Sequence, residues 1–261
     1  ISFYFVYIIN GFLVKPDFSE AAAALITPTI EWTAPFLLTM IALIGTTITP
    51  WGQFFIQSYV VDKGLGIKHY KIEKAEVFVG AFITDIVSFF IIISTAYTLY
   101  KSGIHITDAK DAAMALQPIA GHFASILFGF GLFVASMLGA FILPVATAYA
   151  ICEAFGWEYG FDRKWEEAKI FYGIILISIF LPAFLILIPG LPLIKVMLFS
   201  QDINGILLPI ILIFVLKIIN DKNIMGEHVN KPIGNVISWL TVVGIIAATV
   251  VLAALSFFYK F

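Results

Sequence analysis

Gly45-Thr-Thr-Ile-Thr-Pro-Trp-Gly-Gln-Phe-Phe-Ile-Gln-Ser58 lies in the middle of an otherwise apolar run, residues 36–61. As a helix that run is roughly 39 Å long at about 1.5 Å per residue, enough to cross a bilayer. Its centre nevertheless carries Thr46, Thr47, Thr49, Gln53, Gln57 and Ser58 together with Gly45, Pro50 and Gly52. Pro50 has no amide hydrogen and its ring clashes with the carbonyl four residues back, at Thr46; Gly52 adds backbone freedom. Carbonyls between Ile44 and Thr47 therefore lose their usual partners. In hydrocarbon such backbone is tolerated only where it is buried in protein or lines a wet cavity. A polar, interrupted helix at membrane mid-depth points to a binding site for something that crosses.

The rest of the chain agrees with a membrane setting. Of 261 residues, 61% are hydrophobic and only 12% charged. The apolar runs are helix-length, which excludes a β-barrel of ten-residue alternating strands. A net charge of −2 argues against a nucleic-acid partner, and a single cysteine, Cys152, excludes an intrachain disulfide. No amino-terminal signal sequence is visible. The sequence predicts an all-α integral membrane protein with full spans at 36–61, 77–100, 123–152, 170–189, 201–219 and 237–258. A partial span at 1–14 opens the chain without a start Met, so residues 1–261 are expected to be the carboxy-terminal part of a single transporter domain.

Orientation follows from the basic residues of alternate loops. Lys63, Lys68, Lys71, Lys74, Arg163, Lys164, Lys169, Lys217, Lys222 and Lys231 fall on one side; Lys15, Lys101, Lys110, Lys195 and Lys260 fall on the other. The first set is expected to face the cytoplasm, which places Phe261 outside. The expected location is the cytoplasmic membrane, with several passes.

Thr46, Thr49, Gln53 and Gln57 are spaced three, four and four apart. They form one stripe on a continuous helix, or collect at two facing helix ends across a break. All offer neutral oxygens, the ligand type that hard divalent cations prefer. The competing reading is that Thr and Gln bond neighbouring helices and Pro50 only kinks the span. Asp85 is the one carboxylate deep in a span; it could bind an ion, relay protons, or be a hydrogen-bonded interior acid. Gln201, Asp202 and Asn204 open the span before Pro209. They could reach the site or be ordinary caps at the membrane surface. Gly131, Ala135, Ser136 and Ala140 read as close helix packing. Asp108-Ala-Lys-Asp111 is half of an acidic pair that could hold Mg²⁺ and a diphosphate, but it has no second copy. None of the four histidines has a partner at zinc spacing, and no catalytic constellation is visible.

Gly45-Thr-Thr-Ile-Thr-Pro50 resembles the sixth-span signature of the Nramp divalent-metal transporters, usually Gly-Ala-Thr-Ile-Met-Pro-His-Asn. Ser200-Gln201 through Pro209, with Asn220-Asp-Lys-Asn-Ile-Met-Gly226, resembles that family's tenth span and following loop. Leu127-Phe-Gly-Phe-Gly-Leu132 resembles its eighth. The resemblance runs from the end of span five to span eleven. It implies a LeuT-type inverted-repeat bundle of the APC superfamily, with spans one and six broken at the site. The family's Asp-Pro-Gly-Asn motif of span one has no counterpart here, so half of the metal site is expected in this chain.

By that resemblance Thr46 matches the site Ala whose carbonyl binds metal, and Thr49 matches the metal-binding Met. Trp51 matches the His linked to proton movement, and Gln201 matches the tenth-span Gln that approaches the ion. Asp85 falls where the family commonly has Asn. Past Pro50 one extra residue precedes Gln57-Ser58, so the resemblance assigns no role to Gln53. With Gln53 included from the spacing of the polar stripe, the expected metal ligands are Thr46, Thr49, Gln53 and Gln201; Asp85, Gln57, Trp51 and Asn204 are candidates for an ion or proton pathway.

The departures have physical consequences. A Met thioether favours transition metals over Mg²⁺, and Thr49 removes that preference. Trp51 removes a group that titrates near neutral pH. The pattern is similar to the Nramp-related magnesium transporters, which implies import of Mg²⁺, or of Mn²⁺, by alternating access. Two alternatives stand beside it: a proton-coupled Mn²⁺/Fe²⁺ carrier of ordinary Nramp type, and a LeuT-fold Na⁺-coupled amino-acid carrier. No resident cofactor and no enzyme activity are expected; the partners are the transported divalent cation and the lipid bilayer.

Overall fold

The structure is a computed structural model that describes residues 4–27 and 29–258. Residues 1–3, the start of the expected partial span, and Lys260 and Phe261, which bear on orientation, lie outside the described residues. Among the described residues the chain is helical, with no strand. Six helical stretches are long and apolar enough to cross a membrane. By chain contacts it divides into two compact units. One comprises Ile1–Thr29, Tyr59–Val145 and Gly173–Ile179; the other comprises Ile30–Ser58, Ala146–Tyr172 and Phe180–Phe261.

In the first unit, α1 (Phe5–Leu13) packs on α5 (Tyr70–Thr95). Between them in sequence lie α2 (Phe18–Ile26), α3 (Ala34–Thr47) and α4 (Pro50–Asp62), of which α3 and most of α4 belong to the second unit. Asp17 caps α2 by accepting hydrogen bonds from the amides of Ser19 and Glu20. That acceptor supplies two of the helix's otherwise orphaned donors. The Tyr97 hydroxyl accepts from the Asp17 amide at 2.9 Å and donates to Glu20 at 3.1 Å, fastening this surface helix down. Asn10 is fully buried and donates to the carbonyl of Ala115 at 2.8 Å. Tyr7, Leu116 and Ala124 form the unit's buried apolar cluster. The segment after α5 holds two short helices, α6 (Ala109–Ala113) and α7 (Gln117–Ala120), before the long α8 (Ala124–Phe155).

The second unit is built on three mutually packed helices: α3, α10 (Leu193–Asn220) and α12 (Pro232–Phe258). Between α3 and α10 in sequence comes α9 (Lys169–Ile186), whose stretch Gly173–Ile179 belongs to the first unit; the four-residue α11 (Lys222–Met225) lies in the connection from α10 to α12. Leu37, Ile41, Ala42, Leu208, Leu216 and Val242 are buried. In lipid, apolar burial drives association weakly, so close approach and polar pairing carry more of the specificity. Both are present. A Cβ on Gly45 would collide with the Gln201 carbonyl and the Gly205 amide, and a Cβ on Gly205 would lie 2.6 Å from the Ile41 carbonyl oxygen. The α3 and α10 backbones thus touch at two glycines. At the far end of α10, Asn220 and Asn235 exchange amide hydrogen bonds of 2.8 and 2.7 Å, fixing the register of α10 against α12.

Several boundaries differ from the sequence expectation: α5 begins at Tyr70 and not at 77, α12 begins at Pro232 and not at 237, and a third difference bears on the site. The helix expected to begin at Gln201 begins at Leu193, eight residues earlier. The stretch 193–200 is apolar apart from Lys195 and Ser200, and Pro192 stops the helix from extending further back. Gln201, Asp202 and Asn204 therefore sit inside a 28-residue helix and are not caps at its start.

Candidate functional site

The span expected to break does so. The α3 helix stops at Thr47, Ile48 adopts φ −120° and ψ 84°, and α4 starts at Pro50. The last backbone bond of α3 runs from the Ile48 amide to the Ile44 carbonyl at 3.1 Å. Pro50 cannot donate to the Thr46 carbonyl, as its chemistry requires. Among the described residues, the carbonyls of Gly45, Thr46 and Thr47 accept no backbone hydrogen bond. They form the partially negative end of α3.

The α10 helix crosses at this level. Ile41 meets Gly205 while Gly45 meets Gln201, so α3 and α10 run antiparallel. The break at 48–49 consequently lies beyond Gly45, toward the Ser200 and Gln201 end of the crossing. Pro209 likewise lacks the amide that would bond the Gly205 carbonyl, which frees one more acceptor at the same crossing. Gln201 and Asn204 are half-buried; the Asn204 amide donates to Gln201 Oε1 at 3.1 Å. The Asp202 Oδ1 atom is buried and makes no hydrogen bond.

The other expected residues are placed as follows. Thr46 occupies the exposed side of the last α3 turn, and Thr49 is half-buried between the helices. Neither hydroxyl, nor the Gln53 amide, is hydrogen-bonded among the described residues. Thr47, by contrast, donates to the Leu43 carbonyl at 2.7 Å and is spent within its own helix. Trp51 and Gln53 are exposed on the first turn of α4. A Cβ on Gly52 would meet nothing closer than Thr49 Oγ1 at 3.5 Å, so the space beside it is open.

Gln57 is engaged elsewhere. It donates to Glu153 at 3.4 Å, and the buried Ser58 donates to the same carboxylate at 2.8 Å. Glu153 is a residue that sequence reasoning left in a loop. The available signal was its place one residue beyond Cys152, at the end of an apolar run that α8 in fact continues to Phe155. Around it Phe55, Tyr159 and Phe171 ring the buried Tyr149.

Asp85 belongs to the other unit, is exposed midway along α5, and makes no hydrogen bond or ion pair among the described residues. Asp108 and Asp111 form a capping box on α6. Asp108 accepts from the amides of Lys110 and Asp111, while Asp111 accepts from Thr107. The hydrogen bond from the Thr107 hydroxyl, with two backbone donors, holds the Asp111 carboxyl below its usual range. That pair is a helix cap. No cluster of three His, Cys, Asp or Glu suited to a metal occurs among the described residues. Any cation at the break would be met by carbonyl, hydroxyl, amide and carboxylate oxygens.

The chain is similar to known proteins over nearly all of its length. The profile of the Nramp family, "Natural resistance-associated macrophage protein-like", matches residues 1–255. A protein named divalent metal cation transporter MntH from Clostridium acetobutylicum is 24% identical over 257 residues, covering 96% of this chain and 57% of the relative. Another of that name, from Caldanaerobacter subterraneus subsp. tengcongensis, is 25% identical over 241 residues, covering 90% and 54% respectively. The chain spans about half the length of the curated relatives it matches. Matched over nearly all of its length, it belongs to the Nramp family, whose members are multi-pass membrane proteins of the LeuT-type fold and not enzymes.

Proposed function

We propose that this chain carries one half of a divalent-cation site and takes part in moving Mg²⁺, with Mn²⁺ as a second substrate, into the cytoplasm by alternating access. The observation that carries this reading is the break at Ile48 and Thr49. It leaves the Thr46 carbonyl free beside unpaired threonine and glutamine oxygens, with the Gln201 backbone packed against Gly45. The ligands are Thr46, Thr49, Gln53 and Gln201, all hard oxygens. Mg²⁺ dehydrates reluctantly and keeps several waters, so it suits a roomy oxygen-lined site better than a tight sulfur-bearing one. The open space beside Gly52 gives that room. Both relatives named above are called divalent metal cation transporters, which supports the metal class and is silent on which metal.

The physical role of the break is to exchange water for fixed carbonyl dipoles at the end of a helix, as discontinuous helices do in carriers. Two half-helices that meet at a flexible joint can also swing independently, which alternating access needs.

The test is uptake into liposomes containing the full-length protein. Mn²⁺ influx should be inhibited by excess Mg²⁺, and Mg²⁺ should itself accumulate. Influx of Mn²⁺ that a large excess of Mg²⁺ leaves untouched would overturn the magnesium assignment and favour an ordinary manganese or iron carrier. Absence of any divalent influx, with amino-acid binding in its place, would overturn the metal reading altogether.

A further inference from the structure

We propose that Asp202 on α10 supplies a negative charge to this half of the cation site. The proposal rests on the reading of the break as a cation site, and it adds a residue that neither the spacing of the stretch around Pro50 nor the family resemblance assigns.

Asp202 is nine residues, about 14 Å along the axis, from the start of α10 at Leu193, well inside the helix. It shares a turn with Gln201 and lies three residues before Gly205, the two positions whose backbones meet Gly45. Its Oδ1 atom is buried and accepts no hydrogen bond. It makes no ion pair among the described residues. The nearest cation on its own helix, Lys195, is seven residues away, about 10 Å along the axis; α3 and the described part of α12 carry no Lys or Arg.

Asp202 is half-buried, and a carboxylate oxygen held inside a span without a hydrogen-bond donor is costly. Here the neighbourhood makes it worse. The free carbonyls of Gly45, Thr46 and Thr47 form the negative end of α3 at this crossing, and the Gly205 carbonyl is freed by Pro209. All of these repel an anion. A divalent cation held among them reverses the sign of every one of these interactions at once. The neutral oxygens of this half-site supply no net charge to offset a doubly charged ion, and a carboxylate from α10 adds one to whatever the other half contributes.

A second unpaired oxygen lies at similar depth. Counted from the Asn220–Asn235 pair, Asp202 is about 27 Å along α10 and Thr249 about 21 Å along α12. The Thr249 hydroxyl is also buried without a hydrogen bond. Two unsatisfied polar atoms thus lie in one three-helix bundle, about 6 Å apart along its axis.

The experiment is calorimetric titration of the purified full-length protein with MnCl₂ and MgCl₂, together with metal-free thermal unfolding, for wild type, Asp202→Asn and Asp202→Glu. Loss of the charge should weaken divalent binding at least about tenfold, the scale on which disturbing a metal site's supporting groups acts. Asp202→Glu should retain part of the affinity. The same Asp202→Asn change should raise the metal-free melting temperature, because it removes a half-buried charge whose inner oxygen has no hydrogen-bond donor. A merely structural carboxylate predicts the opposite pair: unchanged affinity and a lower melting temperature. Wild-type binding with Asp202→Asn unaffected overturns the Asp202 assignment and leaves the cation site standing; wild type that binds neither metal overturns both. Should Asp202→Asn fail to fold, Asp202→Glu decides, since full wild-type affinity with a displaced carboxylate would also count against a ligand at this position.

Discussion

Replacing Gly45 with alanine should separate α3 from α10 at the level of the break. The added Cβ would strike the Gln201 carbonyl oxygen and the Gly205 amide nitrogen, both backbone atoms that cannot rotate aside. The reciprocal change, Gly205→Ala, places its Cβ 2.6 Å from the Ile41 carbonyl oxygen, where contact becomes ordinary only at 3.4 Å. Overpacking of this kind costs about 1–3 kcal/mol, and the gain in helix propensity from Gly to Ala returns about 1 kcal/mol. Each single variant should therefore lose up to roughly 2 kcal/mol, or up to about 8 °C in melting temperature for a chain of this size. Because both changes push the same two backbones apart, the double variant should lose less than the sum. Gly52→Ala is the internal control: its Cβ meets only Thr49 Oγ1 at 3.5 Å, so its melting temperature should stay level or rise. The assay is thermal unfolding in detergent, followed by circular dichroism, for the four variants in one buffer. A Gly45→Ala protein at least as stable as wild type would refute the close crossing, and with it the placement of Gln201 and Asp202 beside the break.

Other consequences follow from the same contacts. Thr49→Met restores a thioether at the break and should shift competition in uptake assays from Mg²⁺ toward Cd²⁺ and Mn²⁺; an unchanged order of preference would remove Thr49 from the site. Glu153→Ala strands the buried Ser58 hydroxyl and should cost about 1–3 kcal/mol by thermal unfolding, whereas Glu153→Gln keeps an acceptor and should cost less. Asn235→Ala leaves Asn220 half-satisfied and should cost about 1–2 kcal/mol, while equal stability of the two proteins would show that the amide pair does not hold α10 to α12.

What could be read from the residues alone divides along physical lines. Pro50 has one chemistry wherever it sits, so the missing bond to Thr46 and the break before it were legible. Apolar length made the six spans legible for the same reason. Gln201 was less so. Its approach to Gly45 depends on where α10 begins, and the polar run Gln201-Asp202-Ile-Asn204 looked like a helix start. Only the packing of Gly45 on Gly205 shows that this polar run lies at the crossing itself. Glu153 was missed because its partners, Gln57 and Ser58, are about a hundred residues away in sequence, and no local pattern encodes that contact. The Asp108 and Asp111 pair was open to two readings until the Thr107 and Lys110 hydrogen bonds showed a capping box. Asp85 remains legible as an intramembrane acid, yet its exposed position on α5 brings it no partner among the described residues.

The most direct test of the central claim is anomalous diffraction from crystals of the full-length protein grown with Mn²⁺. The account predicts one strong peak at the break, with the Thr46 carbonyl and side-chain oxygens of Thr49, Gln201 or Asp202 within about 2.6 Å or one bridging water of it. A well-occupied Mn²⁺ peak elsewhere in the protein, with the gap between Thr47 and Pro50 closed by protein atoms, would contradict it.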